Sequence, residues 1–230
     1  MQLSSKKAVL DFLRDKQFSS VLDAPSGDGW LAEGLSDRSV VCDGIDLYED
    51  AHGYRKVWRH DLNAPLPPDC GLYDLICCCE GLEHIGNPLQ LLASFHSHLS
   101  ENGWLVVTTP NVWYPQSRLQ FLMRGFFPSF PPLAGKISPG DHMHITPWSW
   151  PQLYLYLKLA GFQKIEIVPE PLSSAKHLHE LLFALPARGY CRSRKKRARS
   201  DEEIYFWDVA GSDASLLGRH LIVTARKGLV

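Results

Sequence analysis

Glu80, Glu83 and His84, in "CCCEGLEHIGNP", and His142 and His144, in "GDHMHIT", could move protons or hold a cation. Residues at i, i+3 and i+4 share one face if the backbone is helical. Carboxylates and an imidazole so grouped could act as a general base with its orienter. They could also ligate a divalent cation and so acidify a catechol-like hydroxyl. A third reading has them cap and brace the next helix, and no metal is assigned here. His142 and His144 alternate, so in extended chain they face opposite ways and one at most meets a substrate. His144 is the expected base or substrate contact, with Glu80 and His84 beside it. Its rival role is to hold backbone.

A second group reads as a ligand cradle. "SSVLDAPSGDGWLAEGL" contains Gly27-x-Gly29-x-x-Ala32, the spacing of a dinucleotide-binding turn. Asp46 stands 23 positions after Asp23, a spacing suited to ribose hydroxyls. Asp61, in "HDLN", could accept from an exocyclic adenine amine. Either acid could instead be a loop cap. Together they point to a nucleoside. Asp23 bears on which one, because a carboxylate a turn away from a helix N-terminus repels a pyrophosphate there. It suits a ligand with a cationic group, such as the ammonium of S-adenosylmethionine.

Strand ends and turns must position these groups. "SVLDA", "SVVCDGID", "RKVWRHDL", "LYDLICCCE", "WLVVTTP", "QKIEIVPE" and "RHLIVTARK" read as seven strands. The fourth is apolar on both faces, as central parallel strands are. Helical period appears in 4–16, 29–35, "LQLLASFHSHL" and "SWPQLYLYLKLAGF". Such alternation predicts an α/β, doubly wound, mostly parallel sheet with ligands beyond the carboxyl ends of its strands. After Asn111 the pattern breaks. Residues 112–140 are rich in proline and aromatics, with a short helix over Ser117–Arg124, and read as a lid insert or an aromatic mini-core. "SSAKHLHELLFALP" reads as a helix, and 187–203 as a basic loop.

The bulk composition sets limits. The 230 residues suffice for a single α/β domain over 1–230. A formal charge of -1 argues against a chain built as a whole to sit on nucleic acid. No apolar run reaches membrane-span length, so a cytoplasmic location is expected. The six cysteines include the consecutive Cys77, Cys78 and Cys79, which cannot form a tetrahedral ligand set, so buried reduced thiols are expected.

Several segments, in order, resemble class I S-adenosylmethionine-dependent methyltransferases. They are "VLDAPSGDGWLAEGL", "GIDLYED", "HDLN", "YDLICCCEGLEHIGNPLQLL", "LSENGWLVVTTPN", "HITPWSWPQLYLYLKLAGF" and "LGRHLIVTARK". The fourth is similar to the ubiquinone-biosynthesis O-methyltransferases and the broad type 11/12 group around them. The resemblance implies a Rossmann-like seven-stranded sheet with an antiparallel last strand, and S-adenosyl-L-methionine as cofactor. It implies that Asp23, Ser26, Gly27 and Gly29 surround the methionine moiety. Asp46 takes the ribose with Leu47 against the adenine, and Asp61 and Leu62 edge the adenine. Cys79 lies near the methionyl part, with Glu80 following into the pocket. Pro25 departs from the pattern, where the first glycine is usual, and removes one amide donor.

The expected activity is methyl transfer to a small or lipid-/sugar-linked acceptor, at oxygen first. Nothing in the sequence calls for a nucleic-acid partner. The rival of another class is a non-catalytic cofactor-binding module, and a further one an NAD-dependent oxidoreductase. Six cations in Arg192–Arg199, after Leu178, Leu181, Leu182 and Phe183, make a peripheral membrane contact through 177–199 one reading and a solvated loop the plainer one.

Overall fold

The computed structural model describes residues 1–48, 52–128, 130, 143–169, 175 and 178–228. Its centre is β4 (Tyr73–Cys79), paired in parallel with β1 (Ser20–Asp23) and with β5 (Leu99–Pro110). Beyond β1 lie β2 (Val41–Asp46) and β3 (Lys56–Arg59). Beyond β5 lie β7 (His220–Lys227) and then β6 (Phe162–Ile167). The order is β3-β2-β1-β4-β5-β7-β6, and β7 runs antiparallel to both its neighbours. The seven-stranded, doubly wound expectation holds. Strand order reverses between β1 and β4, which is where such sheets bind ligands.

Each face of the sheet carries its own core. On one, α1 (Leu3–Leu13) and α2 (Trp30–Gly34) pack Val9, Leu13 and Leu31 with Val21, Leu75 and Cys77. On the other, α3 (Pro88–His98) and α5 (Trp150–Leu159) pack Leu91, Phe95, Leu153 and Leu157 with Leu22, Ile76 and Cys78. The cysteine triplet is thereby divided, with Cys77 and Cys79 facing the first core and Cys78 the second. All six thiols are free and buried, and burial holds those of the triplet well above the usual thiol range.

Local chemistry sets the helix boundaries. The Asn87 side chain accepts from the Gln90 N–H ahead of Pro88, a capped start to α3. α4 (Pro115–Arg124) covers the helix expected in the insert and stops at Gly125, whose φ of 81° suits glycine. Residues 131–142, including His142, lie outside the described residues. Two helices were not expected, α7 (Asp201–Ala210) and α8 (Asp213–Leu216). The signal for α7 is Ser200 followed by Glu203, where the Ser200 hydroxyl accepts from the Glu203 N–H.

The basic stretch read as a loop is instead largely the last turns of α6 (Leu178–Lys195). α7 gives it something to fold against. The Arg194 guanidinium lies 5.3 Å from the Trp207 ring, and Lys195 Nζ is 2.6 Å from Asp208 Oδ1. Among the described residues no helix is long and apolar enough to cross a membrane.

Asn111 ties the end of β5 to the rest. Its Nδ2 donates to the carbonyls of Ser215 (2.9 Å) and Gly218 (2.8 Å), and its Oδ1 accepts from the Trp113 N–H. Asn111→Ala orphans these buried groups, and should cost about 3 kcal/mol at 1–3 kcal/mol per unsatisfied group. Urea unfolding measures this, and a loss under about 1 kcal/mol would show that the ties contribute little.

Candidate active site

A cavity of about 610 Å³ opens at the carboxyl ends of β1, β2 and β4. Of the residues singled out in the sequence, Ser26, Gly27, Asp46, Leu47, Asp61, Leu62, Cys79, Glu80 and His84 line it. Asp23, Gly29, Glu83 and His144 are not among the residues that line it. The wall also includes Met1, Lys6, Trp30, Tyr48, Asn63, Met143 and Ile145. Trp30, Tyr48, Asn63 and Ile145 are neighbours of the motif residues within the same segments, whereas Met1 and Lys6 come from the N-terminal end and α1 without a motif of their own.

The turn after β1 is built by its glycines. Gly27 has φ 52°, and a Cβ there would meet open space. Its N–H donates to Asp46 Oδ2 at 2.8 Å, while Asp46 Oδ1 accepts from the Tyr48 N–H at 3.0 Å. Two backbone donors thus fix the Asp46 carboxylate at the mouth of the cavity, with lone pairs left over for a ligand hydroxyl. Gly29 has φ 82°, and a Cβ there would lie 2.6 Å from the His52 carbonyl oxygen. It makes room for a neighbouring loop and not for the ligand. The Pro25 ring occupies space that Gly81 leaves open, since a Cβ on Gly81 would stand 2.3 Å from Pro25 Cδ.

Asp61 accepts twice from Asn63, through its N–H and its Nδ2, and these bonds hold its carboxyl below the usual range. Asn63 Oδ1 accepts in turn from the Gly86 N–H at 2.8 Å. This links the rim below β3 to the loop after β4.

Asp23 does not stand where the sequence suggested. It is fully buried under the turn, and its Oδ2 accepts from the Tyr54 hydroxyl at 2.6 Å. Burial pushes its carboxyl up to about 7, partly offset by the Tyr54 bond. Asp46 and Asp28 raise it further, and Lys6 opposes them. Tyr54 comes from a loop 31 residues on and carries no local signal.

The chain after β4 does not make the helical face expected for Glu80, Glu83 and His84. Glu80 has a left-handed φ of 53°, and only Leu82–His84 form a 3-10 turn. Glu80 therefore turns towards β5 and β7. Its Oε1 accepts from the Thr108 hydroxyl at 2.9 Å, and its Oε2 lies 3.7 Å from His220 Nε2.

His144 takes the place expected for Glu80. Its Nε2 lies 4.0 Å from Glu83 Oε1, and its ring meets that of His84 edge-on at 4.6 Å. The segment is clipped in place, because Ile145 and Thr146 both donate N–H to the Glu83 carbonyl. The Thr146 hydroxyl donates to the Ile85 carbonyl at 2.9 Å. The His84 Nδ1–H donates to the Met143 carbonyl, so the neutral ring carries its lone pair on Nε2. Burial, then the Glu80 charge, pushes the Glu83 carboxyl up to about 8. Ligand atoms of Glu83, His84 and His144 lie within 4.8 Å of one another, close enough to share a cation or a proton.

The comparisons with known proteins agree with this geometry. A family model described as a methyltransferase domain matches residues 2–167, and the chain belongs to that family. The ubiquinone biosynthesis O-methyltransferase of Burkholderia thailandensis is 24% identical over 160 residues, which cover 64% of this chain and 66% of that one. Its counterpart in Marinobacter nauticus is 33% identical over 104 residues, or 39% and 43% of the two chains. The chain thus spans two thirds or less of the length of these relatives. A methyltransferase from Archaeoglobus fulgidus described as dependent on S-adenosylmethionine shares the fold at TM-score 0.53 and 17% identity, over 96% of this chain and 94% of that one. One from Thermotoga maritima, described as a possible histamine N-methyltransferase, does so at TM-score 0.60 and 14% identity, over 98% and 88%.

Two measurements follow. Gly27→Ala strains only its own φ, about 1–2 kcal/mol, whereas Gly29→Ala adds a backbone clash and should cost clearly more. Equal losses in urea unfolding would contradict this. Asp23 supplies a pH signature. Its folded-state pKa of about 7 lies above the ordinary 3.8, so between these values the folded chain binds more protons than the unfolded one. Its contribution to stability is therefore fully present at the acid end and falls as pH rises through that window. Asp23→Asn should flatten the decline in stability between about pH 4 and pH 7, and parallel slopes for wild type and variant would refute the assignment.

Proposed function

We propose that this chain binds S-adenosylmethionine in the cavity and transfers its methyl group to a hydroxyl of a small acceptor with an apolar part. The observation that carries this reading is the convergence of Glu83, His84 and His144 beside a cavity whose mouth presents a fixed carboxylate, Asp46.

The residues fit the cofactor. Asp46 and Asp61 supply acceptors for ribose hydroxyls and an adenine amine, and Leu47 and Leu62 supply apolar walls for the base. The open space at Gly27, with Ser26, Cys79 and the anchored Glu80, suits the amino-acid end. Bound there, the cofactor supplies a methyl group already activated on a sulfonium. Positioning then provides much of the rate.

What remains for the protein is to hold the acceptor and remove its proton. His144 Nε2 receives the proton from the hydroxyl, and the positive charge so formed favours ionisation of the Glu83 carboxyl 4.0 Å away, which then balances it. His84 packs against the His144 ring and fixes its pose. In a cation-loaded form the same three groups would hold the ion and acidify the hydroxyl. Over them, Phe121 stacks on Phe127, Phe127 meets Phe130, and Phe130 meets the His144 ring at 5.3 Å. This aromatic path suits an acceptor with an aromatic or prenyl-like body, free or lipid-linked, and shields the reacting oxygen from water.

Labelled S-adenosylmethionine, offered with a panel of hydroxylated aromatic and isoprenoid-tailed acceptors, tests the reading. His144→Ala should lower kcat by about 10²–10⁴-fold and leave cofactor binding in calorimetry unchanged. Asp46→Ala should weaken cofactor binding about tenfold or more. Unchanged turnover in the first variant removes His144 as base, and unchanged binding in the second removes the cofactor site.

A further inference from the structure

The outward face of α6, together with the tip of α4, lacks the polar cover that a water-facing helix carries. Glu180, Ala184 and Cys191 point inward and are buried. The opposite stripe runs Leu178, Leu182, Leu185 and then Arg192, spaced i, i+4, i+7 and i+14. The three leucines are 73%, 58% and 56% exposed. On α4, Leu122 and Met123 are 79% and 75% exposed. The two helices touch, and Arg118 Nη2 donates to the Phe183 carbonyl at 3.0 Å, which sets these apolar residues on adjoining elements. A patch of this kind marks an interaction surface.

We infer that this face of α4 and α6 docks on an anionic lipid membrane. Charge identifies the occupant. Leucines in the first turns, Arg192 on the same stripe in the last, and three more cations just beyond the helix end suit a helix lying at the boundary between headgroups and acyl chains. Arg188 and Lys195 are ion-paired with Asp213 and Asp208, and Arg194 covers Trp207. Among the described residues, Arg192, Lys196, Arg197 and Arg199 make no ion pair and are exposed. They follow directly on the leucines and are placed to meet anionic headgroups. A single-stranded RNA partner would call for aromatics between the cations, and Arg192–Arg199 has none.

The surface also has a route to the cavity. Phe121, exposed on α4, begins the aromatic series through Phe127 and Phe130 to His144 and His84, and His84 lines the cavity. An acceptor held in the membrane would reach the site along that series without crossing water.

Vesicle co-sedimentation with the full chain tests the inference without any turnover, so its outcome is separate from that of the methyl-transfer reading. The chain should sediment with vesicles of phosphatidylcholine mixed with phosphatidylglycerol. Binding should be about tenfold weaker to phosphatidylcholine alone or in high salt. Leu182→Glu with Leu185→Glu, on an exposed face, should abolish sedimentation with calorimetric cofactor binding intact. Arg192→Glu with Arg197→Glu should remove the preference for the anionic lipid. Four outcomes would overturn the inference: no sedimentation with the mixed vesicles; retention by the leucine variant; a dimer in size-exclusion chromatography that the leucine variant dissolves while no vesicle binds; and tight capture of single-stranded RNA in place of vesicles.

Discussion

A strand with neighbours on both edges and cores on both faces has no surface to offer except at its end. β4 is in that position, and its composition follows from it. Leu75 to Cys79 alternate between two apolar layers, and the small thiols fill both without demanding partners. After Asp74 at its start, which Ser19 holds at the opposite end of the sheet, the strand carries no acidic or basic side chain until Glu80, the first residue past it. The chain must leave the sheet there without running into β5, which is why Glu80 takes a left-handed conformation and has its backbone N–H and its carboxylate held by Thr108. The sharp exit leaves room for only a 3-10 turn, and that turn directs Glu83 inward and His84 towards the cavity.

The same constraint decides how much could be read from the sequence. Strand ends are local, and their chemistry shows in sequence. Asp46 ends β2 and Asp61 follows β3, both strands readable in the sequence, Gly27 opens the turn, and all of them line the cavity. What failed depended on distant chain. Asp23 looked like a cofactor contact because no local signal shows that Tyr54 will close over it. Spacing alone makes Glu80 a partner of His84, but only on a helix, and the segment turns left-handed at Glu80. The role of His144 beside Glu83 rests on hydrogen bonds across some sixty residues of chain, between Ile145, Thr146 and the Glu83 carbonyl. The basic stretch looked like loop because α7, which gives α6 a surface to pack on, was not recognised despite its Ser200–Glu203 start.

The floor beneath the cavity is unusually acidic for a buried region. Asp23 and Glu83 both sit where burial favours the protonated form. Asp43, equally buried, is compensated by the Arg55 guanidinium and the Tyr73 hydroxyl. The difference tracks position. Asp43 lies inside β2, away from any ligand, and is fully paired. The two less compensated acids sit at strand ends, Asp23 at the end of β1 and Glu83 in the turn after β4, next to residues that line the cavity.

The insert between β5 and α5 is fastened at both of its ends. Asn111 clamps its start to the α8 region, and Ile145 and Thr146 clamp its end to the turn after β4. The cluster of Glu83, His84 and His144 hangs from the second of these fasteners. The intervening segment is in effect a cassette. The bonds that space Glu83 from His144 lie outside it, so an engineer seeking a different acceptor would begin with its side chains.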